Sequence, residues 1–207
     1  MDRFNLGTHT RTISTTSTEA QRWFDIGMNW LYGFNHEEAV TCFERAIEYD
    51  PDCVMAHWGA ALGAGPFYNY GWRQFSTEEA NEATDFGHGH IQKARALAHT
   101  ATDVENALVE ALAMRFQYSH SVSVSEFDQC DDDYADAMRG VYQRFPNDHD
   151  VMALFVEAAI SRTPWQLWDV KRGVPAAGAD TLEALHVLER SIDLKDKANK
   201  PQHPPIL

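Results

Sequence analysis

Cysteine is scarce and in the wrong pattern for a covalent framework: Cys42, Cys53 and Cys130 are odd in number and form no Cys-x-x-Cys pair. Reduced thiols in a cytoplasmic or nuclear protein are therefore expected, with the cytoplasm as the compartment named. Positive charge is the second scarcity. Seventeen Lys and Arg stand against 31 Asp and Glu, a formal net charge of −14. Such a surface repels phosphate backbones and anionic lipid, so the partners expected are neither nucleic acid nor membrane. No apolar run is long enough to span a bilayer, and the opening MDRFNLGTHTRTIST lacks the apolar stretch of a signal peptide. A Gly-rich phosphate loop, a nucleophile motif and a cysteine–histidine pairing are all missing, so no catalytic residue, metal ligand or cofactor is expected. Apolar content is not short. At 44% hydrophobic and 12% aromatic residues, 207 residues can bury a core.

One stretch organises the rest. From Ala20 as position 1, Trp23 falls at 4, Ile26 at 7, Gly27 at 8 and Trp30 at 11; Ala39 falls at 20, Phe43 at 24, Ala46 at 27 and Pro51 at 32. Large and small residues at these offsets are what two antiparallel helices of a tetratricopeptide repeat, about 34 residues long, need in order to pack. Gly27 and Ala39 are expected at the closest approach of the two helices, with Trp23, Trp30 and Phe43 around it and Pro51 stopping the second helix. Leu in place of Gly27 would overpack that contact.

The fold class expected is all-α: a tetratricopeptide-like helical-hairpin solenoid of about four helix pairs, with long insert loops. Residues 1–17 read as an extended arm, 18–53 as repeat one, and 54–98 as a second pair with the aromatic insertion PFYNYGWRQFST. Residues 99–145 read as a third pair, with helices at about 103–118 and 132–145 separated by SHSVSVSEFDQC, so that Asp131, Asp132 and Asp133 start the second helix. Residues 146–194 form a fourth pair interrupted by a loop at 162–179 containing PWQLW, and 195–207 form a tail. Ser17 or Thr18, Asn35, Asp148 and Asp180 are the expected helix caps.

Segments spread over nearly the whole chain, among them EAQRWFDIGMNWLYGFNHEEAVTCFERA, DPDCVMAHWGAALGAGPFYN and PWQLWDVKRGVPAAGADTLEALHVLERSI, resemble a divergent bacterial and fungal group of tetratricopeptide-repeat proteins of unassigned activity. The resemblance implies architecture more than chemistry. Members of that group continue beyond His203-Pro204 into further helices, so this chain looks C-terminally shortened. Leu182, Leu185, Val187, Leu188 and Ile192 of the last helix then lack a capping helix, and self-association through that end is expected.

In such arrays, positions 2, 5, 9, 12 and 13 of each first helix line a concave groove. Here those are Gln21, Phe24, Met28, Leu31 and Tyr32, joined by Met55, Trp58 and Leu62 from the second pair. The groove reads as apolar, suited to an amphipathic helix or apolar peptide, and lacks the Lys and Asn of carboxylate-clamping repeats. A neighbouring helix or the arm could equally fill it. The function expected is therefore a protein-interaction scaffold. The alternative is a metal- or small-molecule-binding enzyme built near Glu157, an acid on the apolar helix VMALFVEAAI, with Trp165, Trp168 and the tail's His203. The bland reading of Glu157 is a hydrogen bond pinning the long loop. Glu183-x-x-His186 and Asp85-x-x-His88 have di-iron spacing but lack the remaining carboxylates, and His88 and His90 lie about 200° apart on a helix.

Overall fold

The computed structural model describes residues 5–198, and among them eight helices follow one another in four pairs. The first pair is α1 (Thr18–Tyr32) and α2 (His36–Tyr49); the second is α3 (Val54–Ala64) and α4 (Thr77–Ala96); the third is α5 (Asp103–Ala113) and α6 (Val124–Arg144); the fourth is α7 (His149–Ser161) and α8 (Thr181–Ala198). Each helix packs on the next, and α3 also touches α1 and α5, so the first helices of the first three pairs stack side by side. The fold is the all-α helical-hairpin array that the residue pattern implies. No described helix is long and apolar enough to cross a membrane.

Local chemistry sets most helix starts. Ser17, Asn35 and Asp148 each accept a hydrogen bond from a first-turn amide of their helix. Ser76–Glu79, Thr102–Glu105 and Ser123–Glu126 form reciprocal capping boxes. The third box corrects the sequence expectation. Helix α6 begins at Val124, so VSEFDQC is helical and the three aspartates lie inside the helix. They serve as partners there: Asp131 for Arg115, Asp132 for Arg162, and Asp133 for Gln117 and Gln129. Helix α5 ends earlier than expected, at Ala113, because the next residues are claimed by tertiary contacts: Arg115 and Phe116 are 2% and 1% exposed. Helix α8 runs on to Ala198, into the segment expected as tail. The long loop holds a short hairpin, β1 (Trp168–Asp169) against β2 (Val174–Pro175), with Gly173 at φ +66° beside the turn.

Two phenyl rings seated on bare backbone lock the stack. Phe43 of α2 lies between α1 and α3: a Cβ at either Gly27 or Gly59 would come within 2.7 Å of its ring. The residue that requires glycine at 27 is thus Phe43, not Ala39. Phe116 repeats the device on Gly87 of α4. The aromatic insertion packs inward through Trp72, which stacks on Phe127 of α6 at 4.3 Å. On α8, Ala184 and Val187 are buried and Leu188 is partly so, whereas Leu182, Leu185 and Ile192 remain exposed.

Helices α3 and α4 also meet through a histidine pair. His57 Nε2 lies 3.0 Å from the Pro51 carbonyl, so it carries the proton and donates; His57 Nδ1 then accepts from His90 Nδ1–H at 2.9 Å. Burial, then the neighbouring His57, pushes His90 down to about 4, and burial lowers His57 as well. These folded pKa values lie below the unfolded value near 6.5, so the unfolded chain binds more protons on acidification. Stability is present in full above about pH 6.5 and is lost as pH falls toward 4. Asp131, raised to about 6 by burial, works in the opposite direction over the same range. We therefore expect the urea midpoint to fall between pH 7.5 and 5, and to fall less in His90→Asn. Equal pH dependence in the two proteins would rule out the neutral pair.

Candidate binding site

The N-terminal arm lies along α1 as an extended strand would lie along a partner. The Gln21 side chain donates to the Arg11 carbonyl at 2.8 Å and accepts from the Ile13 amide at 3.0 Å, the two backbone groups that a neighbouring strand would use. One and two turns further on, Asp25 accepts from the Arg11 amide at 3.0 Å and Asn29 donates to the His9 carbonyl at 2.9 Å. Glu105 of α5 takes both the amide and the hydroxyl of Ser14. Those bonds, with those from Thr102, hold the Glu105 carboxyl below its ordinary range despite burial. Side chains of the arm are read too. Ile13 is buried in the core, and the Arg11 guanidinium bonds Asp148 at 2.9 Å and Asp150 at 3.0 Å on α7. Asp150 also pairs with His9 and accepts from the Tyr32 hydroxyl at 2.7 Å. The arm therefore bonds α1, α5 and α7, the first helices of three pairs, which is where a solenoid presents its concave face.

At the stretch that organises this face, the family model of the tetratricopeptide repeat matches residues 20–53. This segment is a tetratricopeptide repeat. Tetratricopeptide repeats act as protein-interaction scaffolds, and the hairpins after this repeat extend the same architecture. A search of curated proteins found no match for the chain.

Around the repeat, the groove residues separate into two sets. Phe24, Met28, Met55 and Trp58 are enclosed at 0–1% exposure, so with the arm docked they present no surface to a ligand. Gln21 and Tyr32 hold the arm or its anchor. Leu31, Tyr32 and Leu62 line a pocket whose empty volume, counted to its open mouth, is about 510 Å³. Glu157 of α7 lines the same pocket. Leu31, Tyr32, Leu62 and Glu157, placed in two separate sites by sequence, thus meet in one. Trp165 and Trp168 are not part of it. They are 69% and 45% exposed, and the Trp165 amide donates to the Tyr68 hydroxyl at 3.0 Å. His203 lies outside the described residues. Glu157 accepts from Ser161 on its own helix at 2.8 Å, and among the described residues no indole or loop backbone group bonds it.

Several pocket residues carry no sequence signal. Phe34 sits at φ +60°, a left-handed conformation expected of a glycine, whereas the adjacent Gly33 has an ordinary φ of −83°. Such a residue costs about 1–3 kcal/mol unless its surroundings hold it, and held strain gathers at functional positions. Pro66 and Phe67 come from the aromatic insertion, and His36 stacks on Phe67 with ring centroids 3.8 Å apart. Burial, the largest effect, pushes His36 down to about 4, against a hydrogen bond to the Gly63 backbone that raises it. Among the described residues, no group of three or more His, Cys, Asp or Glu side chains is placed to hold a metal ion. The di-iron spacing is broken up: Glu183 is bonded to Arg139, and His88 Nδ1 lies 2.9 Å from the Phe116 carbonyl.

Proposed function

We propose that the protein is a peptide-binding scaffold that takes an extended segment with a basic residue two places before an aliphatic one, and that its own arm occupies the site in cis. The observation that carries this reading is the Gln21 amide bridging the Arg11 carbonyl and the Ile13 amide. Main-chain recognition of this kind tolerates many sequences, while pockets for alternate side chains give specificity. Here one such pocket is the carboxylate pair Asp148 and Asp150, and the other is the apolar seat of Ile13. The preference is for a basic extended peptide; an apolar helix would find Phe24 and Met28 covered. The net charge of −14 favours the same class of partner.

The test weakens the arm and offers its sequence in trans. In a chain carrying Arg11→Ala and Ile13→Ser, a synthetic peptide spanning residues 7–16 should bind saturably. A peptide with alanine for its arginine should bind roughly tenfold more weakly, since the lost contact is a charge-assisted pair. The unmodified chain should bind the peptide far more weakly still, because the tethered arm competes at an effective concentration on the order of millimolar. Equal affinity for the two peptides would remove the proposal.

A further inference from the structure

The pocket that contains Glu157 lies beside the track of the arm and shares Tyr32 with it, and its chemistry is one-sided. Its walls are mostly apolar and aromatic, with Tyr32, Phe34 and Phe67 among them. Its polar groups only accept. The Tyr32 hydroxyl donates to Asp150. Glu157 receives one donor, Ser161, on Oε1, and among the described residues no protein donor reaches Oε2. His36, which is neutral at ordinary pH, bonds the Gly63 backbone and has Nδ1 without a partner. The cations nearby are committed. Arg115 is held by Asp131 at 3.0 Å and by the Pro66 carbonyl at 3.2 Å, and Arg162 by Asp132 at 2.6 Å and Asp180 at 2.5 Å. Arg115, Asp131 and Glu157 feel one another's charge. One guanidinium and two carboxylates leave that group with a formal charge of −1.

We propose that this pocket is a binding site for an alkylammonium group on an apolar stem, with Glu157 as its counter-ion and the faces of Tyr32, Phe34 and Phe67 around the stem. A carboxylate in apolar surroundings needs a cation, and aromatic faces attract one. The group to be bound must donate hydrogen bonds, because the walls hold acceptors without donors. The left-handed Phe34 gains a reason here, since that backbone conformation sets its ring in the wall. An ammonium group can come from a free amine or from a lysine side chain of a partner, and the two sources differ in whether the stem ends free or joins a peptide backbone.

Isothermal titration of the full chain at pH 7 tests this with matched pairs: butylamine against butanol, phenethylamine against 2-phenylethanol, and a blocked lysine peptide against its norleucine counterpart. At least one cation should bind saturably and roughly tenfold or more tighter than its neutral partner. Glu157→Gln keeps the shape and the Ser161 contact, and should abolish that preference while leaving the melting temperature in place. Ala153→Leu, which fills the pocket without touching a charge, should abolish binding. Binding of the free amines makes the source a small molecule; binding confined to the lysine peptide places it on a partner chain. No saturable cation, equal binding of amine and alcohol, or an unchanged preference in Glu157→Gln would overturn the proposal. Should Ala153→Leu fail to fold, Glu157→Gln alone decides.

Discussion

Gly87→Ala should destabilise the protein by about 1–3 kcal/mol or more, whereas Gly89→Ala, two residues along the same helix, should stabilise it by roughly 0.5–1 kcal/mol. Both glycines lie inside α4, where alanine is the better helix former. The difference is what a methyl group would meet. At Gly87 an added Cβ would stand 2.3 Å from Phe116 Cε1, and at Gly89 nothing lies within 4 Å. Phe116 cannot retreat, being 1% exposed and packed edge-on against Trp72. Urea unfolding of the two variants checks the pair, and changes of the same sign would mean that α4 is rotated from its described position.

Arg115→Met should have the largest effect of any single substitution, about 3–5 kcal/mol, because it strands a buried carboxylate. The guanidinium is buried, ion-paired to Asp131, bonded to the Pro66 carbonyl and stacked 4.1 Å over the Tyr134 ring. It ties α6 to the insertion that forms one wall of the pocket. Burial already pushes Asp131 up to about 6 in the presence of its partner. Without Arg115 it rises further, so the folded variant binds a proton that the unfolded chain does not, and the deficit should shrink as pH falls from 7 to 5. Adding Asp131→Leu should recover most of the loss at neutral pH, since an apolar pair of similar volume is often as stable as a buried ion pair. A double variant no more stable than Arg115→Met would show that the guanidinium acts through Tyr134 and Pro66 instead.

What the sequence discloses here divides along physical lines. The repeat at 20–53 is legible because its packing is local: a ring at 43 and a bare backbone at 27 lie within one hairpin, and fixed offsets record that contact. The second seat of the same ring, at Gly59, and the seat of Phe116 on Gly87 involve helices from different hairpins, and no offset records them. Alternating Ser and Val at 121–125 reads as extended chain, yet Ser123 and Glu126 close a capping box and α6 starts there; an isolated β-branched run does not outweigh a satisfied helix terminus. The arm has no periodicity at all, and its strongest tie, Arg11 to Asp148, joins residues 137 apart. Glu157 is visible as an acid on an apolar helix, and Leu31, Tyr32 and Leu62 as groove positions. That they share a pocket depends on how α1, α3 and α7 stack. Trp165 and Trp168 follow Glu157 closely in sequence and so read as one site with it, whereas both are exposed and Trp165 packs against Tyr68.

Amide hydrogen exchange along the arm tests the central claim most directly. The amides of Arg11, Ile13 and Ser14 are held by Asp25, Gln21 and Glu105. If the concave face binds extended backbone and the arm is its occupant, these three should exchange roughly a hundredfold or more slowly than a free peptide. Gln21→Ala should return Ile13 toward the free rate while α1 stays protected. Exchange of all three at the free-peptide rate in the unaltered chain would contradict the account.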